Sequence, residues 1–405
     1  MPIAVDFGTC NTVIARWNPA AQQAETVPVE GLTRRYDMST GGHASDPAYV
    51  IPTLIHYGEN NHRLLGEQVA AEGLLDHCGT FRWLKLDLLS GNSRGRWIHD
   101  AMVNPFDAAG NFVGTALFYT LGQLADDTHE EIVATFPVES YDAYVQWLRE
   151  AVSRGAPGRR VRLLDEATAS ILGYHRTVRN GDIYMIFDFG GGTLDISIVQ
   201  VNLDTGHEYC KCKILGRAGE EVGGVMIDQW LLEDMMTKEG LRDKDIEAVG
   251  TSLIRQVEEA KIALSGGQRE YGVEQYNDMT GRVIEHTFAQ DDLRSILIKQ
   301  GLARLITRTI DRTLDAAGGR YATRKSDIKQ VLMVGGSSLL LGLHDWVRDI
   351  FPDTSVQTGN PFGAIAAGAC RYTGEDFDPT LVHNYEVEGW NRDLKEYEYI
   401  VVVEK

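Results

Sequence analysis

Two aspartates, 182 residues apart, lie in matching surroundings that suit a phosphate group and its metal ion. Asp6 and Asp188 each follow apolar residues and begin the tripeptide Asp-Phe-Gly, after which a turn leads into an alternating strand. Backbone amides of a glycine turn can bind an anion, and carboxylates can hold the waters of a Mg²⁺ ion. The repeated pattern predicts two related lobes, each with a glycine turn after a buried strand.

The second turn has the clearer phosphate signal. Gly190, Gly191 and Gly192 are consecutive residues without a Cβ atom, and Thr193 follows them. Backbone amides can close on an anion there with no side chain between. A plain glycine-rich hairpin explains this segment equally well when it is taken alone. Two such turns, each after an inward aspartate, favour a site for a triphosphate with Mg²⁺.

A predicted helix over Thr251–Leu264 adds a third element. One side of this helix is apolar and is expected to be buried. Four other residues are spaced at i, i+3, i+4 and i+7, so they share a second face of the helix. That second face consists of Glu258, Lys261, Ile262 and Ser265. A solvated face with salt bridges and a polar face over a ribose are both compatible with this pattern.

Hydrophobic patterning indicates which elements position these motifs. The predicted strands are Ile3–Phe7, Thr12–Trp17, Glu131–Phe136, Val161–Leu164, 183–189, 194–201 and Val331–Val334. The predicted helices are Asp142–Ser153, one that begins at Asp165, Met226–Lys238, Thr251–Leu264 and one stretch over Gln290–Ala317.

The chain has 405 residues, more than one hydrophobic core usually supports. Two or more lobes are therefore expected. Residues 371–379 are predicted to be a linker, and residues 381–405 are rich in strand formers. The last of these strands, Tyr399–Val403, has no evident partner. Either the chain was cut there, or the segment pairs with an earlier strand.

Several other functions are excluded by the motifs that the sequence lacks. There is no Gly-Lys pair of a P-loop, no G-x-G-x-x-G, no kinase catalytic loop, no H-E-x-x-H and no G-x-S-x-G. A net charge of −19 without a basic run argues against binding to nucleic acid. No apolar stretch reaches the length of a membrane span, and the N-terminus lacks the features of a signal peptide.

The five cysteines favour reduced thiols in a cytoplasm. Cys210 and Cys212 would point to the same side of a strand, where they could hold a metal ion. No second pair completes a tetrahedral site, so a metal is the less favoured interpretation.

The ordered motifs resemble those of the 70-kDa heat-shock chaperone (DnaK) family, within the actin-like ATPase fold. The resemblance covers residues 3–370. The matching segments are Asp6-Phe-Gly-Thr-Cys-Asn-Thr, Asp165–Tyr174, Asp188–Asp195, Gly223-Gly224 with Asp228, Glu258–Ser265, Val334–Ser337 and Asn360–Gly368. It implies an α/β protein with two lobes, each a mixed sheet flanked by helices, and a nucleotide in the cleft between them.

The resemblance also implies roles for individual residues. Asp6 and Asp188 would hold Mg²⁺, mostly through water, and Lys85, Glu166, Asp188 and Asp195 would act in catalysis. Lys85 is assigned from its position before Gly91, and a surface lysine in an amphipathic turn is the alternative. The nucleotide contacts would come from Gly8, Thr9, Cys10, Asn11, Gly190, Gly191, Gly192, Thr193, Gly223, Gly224, Glu258, Lys261, Ile262, Ser265, Gly335, Gly336, Ser337 and Leu339.

Three positions depart from the family pattern. Cys10 replaces a threonine near the γ-phosphate, and a thiol is a weak donor. Ile262 and Leu339 replace two arginines that flank adenine. The linker to a peptide-binding domain is not recognisable after Cys370, and no complete domain of that kind fits before Lys405.

The resulting prediction is a Mg²⁺-dependent ATPase module, with ATP or ADP as ligand and slow hydrolysis that drives closure of the lobes. Residues 1–178 would form the first lobe, residues 179–370 the second lobe, and residues 371–405 a linker and tail. Client proteins, a co-chaperone or a nucleotide-exchange factor are the expected partners, and neither nucleic acid nor a membrane is expected. A non-catalytic nucleotide-gated binding module is the main alternative. A filament protein and a sugar kinase share the fold.

Overall fold

The computed structural model describes residues 2–36, 47–75, 77–124, 131–137, 142–174, 178–203, 210–246, 249–372, 385–391 and 396–403. Within these ranges the strands β1–β21 are, in chain order, Ile3–Phe7, Asn11–Asn18, Gln23–Thr26, Arg34–Tyr36, Ala48–Pro52, Leu54–Tyr57, Arg63–Leu65, Thr80–Arg82, Arg96–Ile98, Ala101–Val103, Glu131–Phe136, Arg160–Asp165, Ile183–Phe189, Leu194–Leu203, Cys210–Glu220, Glu270–Asn277, Arg282–Ala289, Ile328–Val334, Ser355–Thr358, Tyr385–Asn391 and Glu396–Val403.

Helices connect and cover these strands. Within the same ranges α1–α12 are Glu67–Ala71, Leu84–Leu89, Pro105–Leu124, Asp142–Gly155, Glu166–Gly173, Gly224–Lys238, Asp243–Ile246, Gly250–Ser265, Gln290–Lys299, Leu302–Tyr321, Leu343–Ile350 and Ala364–Ala369. Short 3₁₀ turns are found at Glu59–Asn61, Lys325–Asp327 and Gly336–Leu339.

Two mixed sheets share one topology. The first has the order β12-β11-β1-β2-β5-β4, with β3 also paired to β2, and the second has the order β15-β14-β13-β18-β19. In each sheet a hairpin, β1-β2 or β13-β14, carries two further strands parallel to its first strand. The expected relation between the two Asp-Phe-Gly segments is therefore a relation between two whole sheets.

Each sheet has its own hydrophobic core. One core consists of residues between Ile3 and Leu163, and another consists of residues between Met185 and Phe351. A third buried cluster contains residues of both sheets and of α5 and α12. This arrangement is the two-lobed α/β architecture that the sequence predicts, while the proposed boundary at residue 178 stays a prediction.

The helices α5 and α12 cross at backbone contact where the lobes meet. A Cβ atom on Gly368 would collide with the carbonyl oxygen of Ala169, and one on Gly173 would collide with that of Ala364. The absence of side chains at these two glycines lets the helices approach closely. The ends of both hairpins are thereby brought to the same cleft.

Three details differ from the sequence-based expectations or extend them. The predicted helix over Gln290–Ala317 is two helices, because Gly301 adopts a φ of 72° between α9 and α10. The strand β21, predicted without an evident partner, pairs with β20 in an antiparallel hairpin. Most of the predicted linker at 371–379 lies outside the described residues.

Candidate nucleotide-binding cleft

The two glycine turns lie against each other across the cleft. A Cβ atom on Gly191 would collide with the Sγ atom of Cys10, and one on Gly192 would lie 3.0 Å from the Oγ1 atom of Thr9. In the second turn the amide of Gly190 donates to the carbonyl oxygen of Thr193 at 3.0 Å. The predicted phosphate segments are thus brought together at contact distance.

Thr53, which the motifs did not indicate, supports the first turn. Its amide donates to the carbonyl oxygen of Cys10 at 2.8 Å, and its hydroxyl donates to that of Gly8 at 2.9 Å. Asn11 begins β2 and pairs with Pro52 of β5. These bonds fix the Gly8–Asn11 turn from the neighbouring strand.

A third glycine pair completes the cradle. The amide of Gly224 donates to the carbonyl oxygen of Gly190 at 3.1 Å. A Cβ atom on Gly223 would lie 2.5 Å from the carbonyl group of Gly191 and from the amide nitrogen of Gly192. The helix α6 begins at Gly224, so its N-terminus points at the second turn, where an anion is favoured.

The predicted metal-binding aspartates are partly buried, at the ends of equivalent strands. Asp6 accepts a hydrogen bond from the hydroxyl of Thr135 at 2.8 Å, and Asp188 lies opposite Asp195 in the β13-β14 hairpin. Burial raises the pKa of Asp6, although the charge of Lys85 opposes it. Burial raises the pKa of Asp188 well above its ordinary value, and nearby Glu166 and Asp195 add to that effect. Such carboxylates need a nearby positive charge to stay ionised.

Lys85 forms a buried ion pair with Glu166. The Nζ atom is 2.8 Å from Glu166 Oε1, and Lys85 is only 8% exposed, so it is not a surface lysine. Burial would lower the pKa of Lys85, but Glu166 and other nearby negative groups outweigh it and raise that pKa. Burial raises the pKa of Glu166 to about 7 despite the lysine. The pair joins α2 to α5 beside the carboxylates.

The hydroxyl of Tyr144 was not predicted as part of this site. It is buried and has no hydrogen-bond partner among the described residues. Burial raises the pKa of Tyr144, and the groups that also affect it are Lys85, Glu166 and Asp6. A buried hydroxyl without a partner is costly unless a water or a ligand satisfies it. The sequence offered no signal for this residue, because it follows no motif.

On the other side of the cleft, Lys261 of α8 binds two groups of the second lobe. Its Nζ atom is 2.7 Å from Asp228 Oδ1 and donates to the carbonyl oxygen of Gly224 at 3.0 Å. Burial raises the pKa of Asp228 to about 7. A Cβ atom on Gly224 would lie 2.8 Å from Ser337 Oγ. Lys261 is thus part of a buried cluster, rather than of the solvated face that was the alternative for this helix.

The remaining predicted nucleoside residues lie around the loop after β18. Gly335 has a φ of 80°, and its amide donates to the carbonyl oxygen of Pro361 at 3.0 Å. Ser265 at the end of α8 accepts a hydrogen bond from the amide of Leu341 at 3.3 Å. Ile262 is 42% exposed and Leu339 is half-buried. The role of these two residues as an apolar slot around adenine stays a prediction.

An aromatic pair that the sequence did not indicate lies next to the loop after β18. The rings of Tyr36 and Phe362 are stacked, with centroids 4.7 Å apart and planes at 20°. Phe362 lies within Asn360–Gly368, one of the segments that resemble the heat-shock chaperone family, but its stacking partner is far away in sequence. Only the fold brings the two residues together.

The site combines anion-binding turns with carboxylates. Three backbone turns meet at close approach, and partly buried carboxylates with raised pKa values lie beside them. Among the described residues no three His, Cys, Asp or Glu side chains are close enough to ligate a metal ion directly. That Asp6 and Asp188 hold Mg²⁺ mostly through water stays a prediction. A cavity lined by Glu166, Asp188, Asp195, Ser197 and Arg217 lies beside this group.

Two further sequence-based hypotheses concern the thiols and the membrane. Cys10, Cys78 and Cys370 are free thiols, whereas the side chain of Cys210 lies outside the described part of the chain. In the described ranges we find no helix with the length and apolarity that a membrane span requires.

Comparison with known proteins identifies the family. The family model for the Hsp70 protein matches residues 131–374, more than half of the chain. The chain is 25% identical over 386 residues to the chaperone protein HscA of Klebsiella pneumoniae, an alignment that covers 90% of this chain and 56% of that protein. It is 24% identical over 391 residues to the HscA homolog of Burkholderia multivorans, covering 91% and 57% of the two. The chain thus spans about half the length of these relatives. It belongs to the Hsp70 family.

Proposed function

We propose that this chain is a magnesium-dependent ATPase module of the chaperone type, which binds ATP between its lobes, hydrolyses it slowly and closes around it. The observation that carries the proposal is the meeting of three glycine turns beside a buried cluster of carboxylates and a lysine. The relatives whose name includes "chaperone" support the same function. Work in the cytoplasm with client proteins, a co-chaperone or an exchange factor is part of this proposal.

The residues divide the work by their chemistry. Amides of the turns at Gly8–Asn11, Gly190–Thr193 and Gly223–Gly224 bind phosphate oxygens, where no side chain intervenes. Asp6, Asp188 and Asp195 would hold Mg²⁺, mostly through water, and the ion would supply positive charge to the phosphates. The nucleoside lies along Glu258, Lys261 and Ser265, under the loop of Gly335, Gly336 and Ser337.

Lys85 and Glu166 act together on the reacting end of the nucleotide. The buried ammonium stabilises the negative charge that develops as the γ-phosphate leaves. Glu166, with a pKa of about 7, can accept a proton from the attacking water near neutral pH. Neither residue forms a covalent intermediate, so positioning and charge supply the catalysis.

The test compares ATP binding in magnesium and in EDTA. Native protein is expected to bind ATP more tightly in magnesium, and Asp188→Asn is expected to remove most of that difference while it changes binding in EDTA little. Asp278→Asn, in an exposed turn, serves as the matched control. Equal affinity of the native protein in both media would contradict the proposal.

A nucleotide-gated module without catalysis is the second candidate, because Cys10 offers a thiol where a hydroxyl is expected near the γ-phosphate. Burial and the nearby charge of Glu258 raise the pKa of Cys10, so it stays a neutral thiol. Single-turnover hydrolysis of bound ATP distinguishes the two functions. Bound ATP that stays intact over many hours, while ADP and ATP still exchange, would favour the second candidate.

A further inference from the structure

The stacked pair of Tyr36 and Phe362 connects parts of the chain that are 326 residues apart. Tyr36 ends β4, the edge strand of the first sheet, and Phe362 lies between β19 and α12. Their ring separation falls at the close end of the range, about 4.5–7 Å, in which aromatic pairs attract each other. The stack therefore forms only when folding brings these two distant segments of the chain together.

Phe362 is also held by the second lobe. Its ring packs on the backbone of Gly336, since a Cβ atom there would lie 2.7 Å from Phe362 Cε1. The neighbouring bond from the Gly335 amide to Pro361 attaches the same segment to the loop after β18. The ring therefore lies between an edge strand of the first sheet and the nucleoside loop of the second.

Tyr36 faces the cleft itself. Burial is the main cause that raises the pKa of its hydroxyl, but Glu258 of α8 and Cys10 of the first turn also contribute. These two residues belong to opposite sides of the cleft. The aromatic pair is thus located where the first phosphate turn approaches the nucleoside helix.

We propose that Tyr36 and Phe362 form an aromatic clamp that holds the lobes together at the nucleoside end of the cleft and slows the release of a bound nucleotide. The inference rests on the proposed function, because it requires a nucleotide in the cleft. Opening of the cleft must break one of the two contacts of the Phe362 ring, with Tyr36 or with Gly336. Loss of either ring therefore accelerates release but leaves the phosphate contacts in place.

The experiment measures the dissociation rate of a fluorescent ADP in magnesium by displacement with excess ADP. The variants are Tyr36→Leu, Phe362→Leu and the double variant, since leucine keeps apolar volume and removes the ring. Each single variant is expected to release ADP about threefold to tenfold faster, which is the range that loss of an aromatic pair produces. The double variant is expected to be no faster than the faster single variant, because both remove the same interaction.

Two controls separate the clamp from a general effect. Tyr36→Phe keeps the ring and is expected to stay within twofold of the native rate. Phe118→Leu removes an exposed aromatic residue that pairs with Tyr119 on α3, and it is expected to leave the rate unchanged. The urea midpoint of each variant reports whether it is folded, and Tyr36→Leu decides the matter if Phe362→Leu does not fold.

The possible results separate the clamp from the proposed function. Native protein that binds ADP, with both single variants within twofold of its rate, would overturn the clamp alone. Effects that multiply in the double variant would also overturn it, because they indicate two independent contributions. Native protein that does not bind ADP at all would overturn the proposed function and the clamp with it.

Discussion

Lys85 is a buried lysine beside the carboxylates of the cleft, although charged lysine side chains usually lie in solvent. Lys85 is compensated in this structure by Glu166 at 2.8 Å, and Asp6 lies near enough to add to the effect. A phosphate that enters the cleft brings further negative charge to the same ammonium. The geometry therefore suits a residue whose interaction grows as charge develops on the leaving phosphate.

Lys85→Ala is expected to leave ATP affinity within about tenfold of native, equal to about 1.4 kcal/mol. Hydrolysis is expected to slow by about 100-fold or more, because the variant loses a charge that acts mainly in the transition state. Single-turnover measurements with bound ATP check this. Lys299→Ala, at an exposed position of α9, is the control. A native single-turnover rate in Lys85→Ala would show that another residue has this role.

Ile262→Arg tests the position of the adenine ring. Ile262 is 42% exposed on α8, so a longer side chain has room to extend over the nucleoside region. A guanidinium over a base adds cation–π attraction worth about 0.5–2 kcal/mol, so ADP affinity is expected to rise about twofold to thirtyfold. Native selectivity for ATP over GTP is expected to be modest, because aliphatic walls present no donors to the base.

Side-by-side titrations with ADP decide this prediction. Ile298→Arg, at a position of α9 that is 62% exposed, controls for the added charge. Unchanged or weaker ADP binding in a folded Ile262→Arg protein would place the base elsewhere.

At this scale the sequence predicts the residues that belong to motifs and misses those that do not. Asp6, Asp188 and the glycine turns, which the structure brings together, could be proposed because each belongs to a motif of neighbours in sequence, and their roles stay predictions. Tyr144 and Tyr36 were missed, because their importance comes from contacts with residues that the fold brings to them. No local pattern distinguishes such a tyrosine from an ordinary half-buried one.

At the scale of elements, the approach of the turns depends on the absence of side chains. Gly223 precedes α6, and a Cβ atom there would lie 2.5 Å from backbone atoms of Gly191 and Gly192. A backbone contact of this kind cannot be relieved by rotation of a side chain. The second turn and the start of α6 must then move apart.

Gly223→Ala is expected to lower the free energy of unfolding by about 1–3 kcal/mol, as in other overpacked sites. It is also expected to weaken ATP binding, because it displaces two of the three turns. Urea unfolding and ATP titration measure the two effects. Gly319→Ala is the matched control, since α10 leaves open space around that residue, and it is expected to add about 0.5–1 kcal/mol. A Gly223→Ala protein with native stability and affinity would contradict the described contact.

Element prediction from the sequence succeeded where a pattern is local and long. Both hairpins and the strand at Glu131–Phe136 follow from alternation, and the helices α4, α6 and α8 follow from their periodicity. The helix over Gln290–Ala317 was wrong in one respect, because its apolar spacing continues across Gly301 while the backbone turns there. The pairing of β20 with β21 was not predicted, because residues 381–405 were predicted only as rich in strand formers and no separate strand was defined at Tyr385–Asn391.

At the scale of the whole molecule, two lobes could be predicted from length and from the repeated Asp-Phe-Gly segments. The order of strands in each sheet could not, because parallel neighbours such as β1 and β11 are far apart in sequence. The same assembly gathers many carboxylates in one cleft. Its electrostatics are therefore a property of the fold that no single segment carries.

The stability of the nucleotide-free protein is expected to fall as the pH rises from 5 to 8. Burial raises the pKa of Glu166 from its ordinary 4.5, and that of Asp228 from 3.8, to about 7 in each case. At a pH between the pKa of the unfolded chain and the pKa of the folded protein, each of these carboxyl groups keeps a proton in the folded protein that it has released in the unfolded chain. The stabilising contribution is therefore complete below the unfolded pKa and is lost as the pH rises through about 7. At about 1.4 kcal/mol for each group and each pH unit, over the two units from pH 5 to about 7, the expected total loss is at most about 5 kcal/mol.

Urea unfolding at pH 5, 6, 7 and 8 measures this dependence, and two comparisons identify its source. Glu166→Gln cannot titrate at this position, so its stability is expected to change less between pH 5 and pH 8 than that of the native protein, whatever the cost of leaving Lys85 without its partner. The net charge of −19 also opposes folding at high pH, but 0.5 M NaCl screens repulsion between exposed charges far more than it affects buried groups. The slope is therefore expected to persist in salt and to diminish in Glu166→Gln. Stability that rises from pH 5 to pH 8 would mean that these carboxyl groups are ionised in the folded protein throughout, with pKa values below those of the unfolded chain.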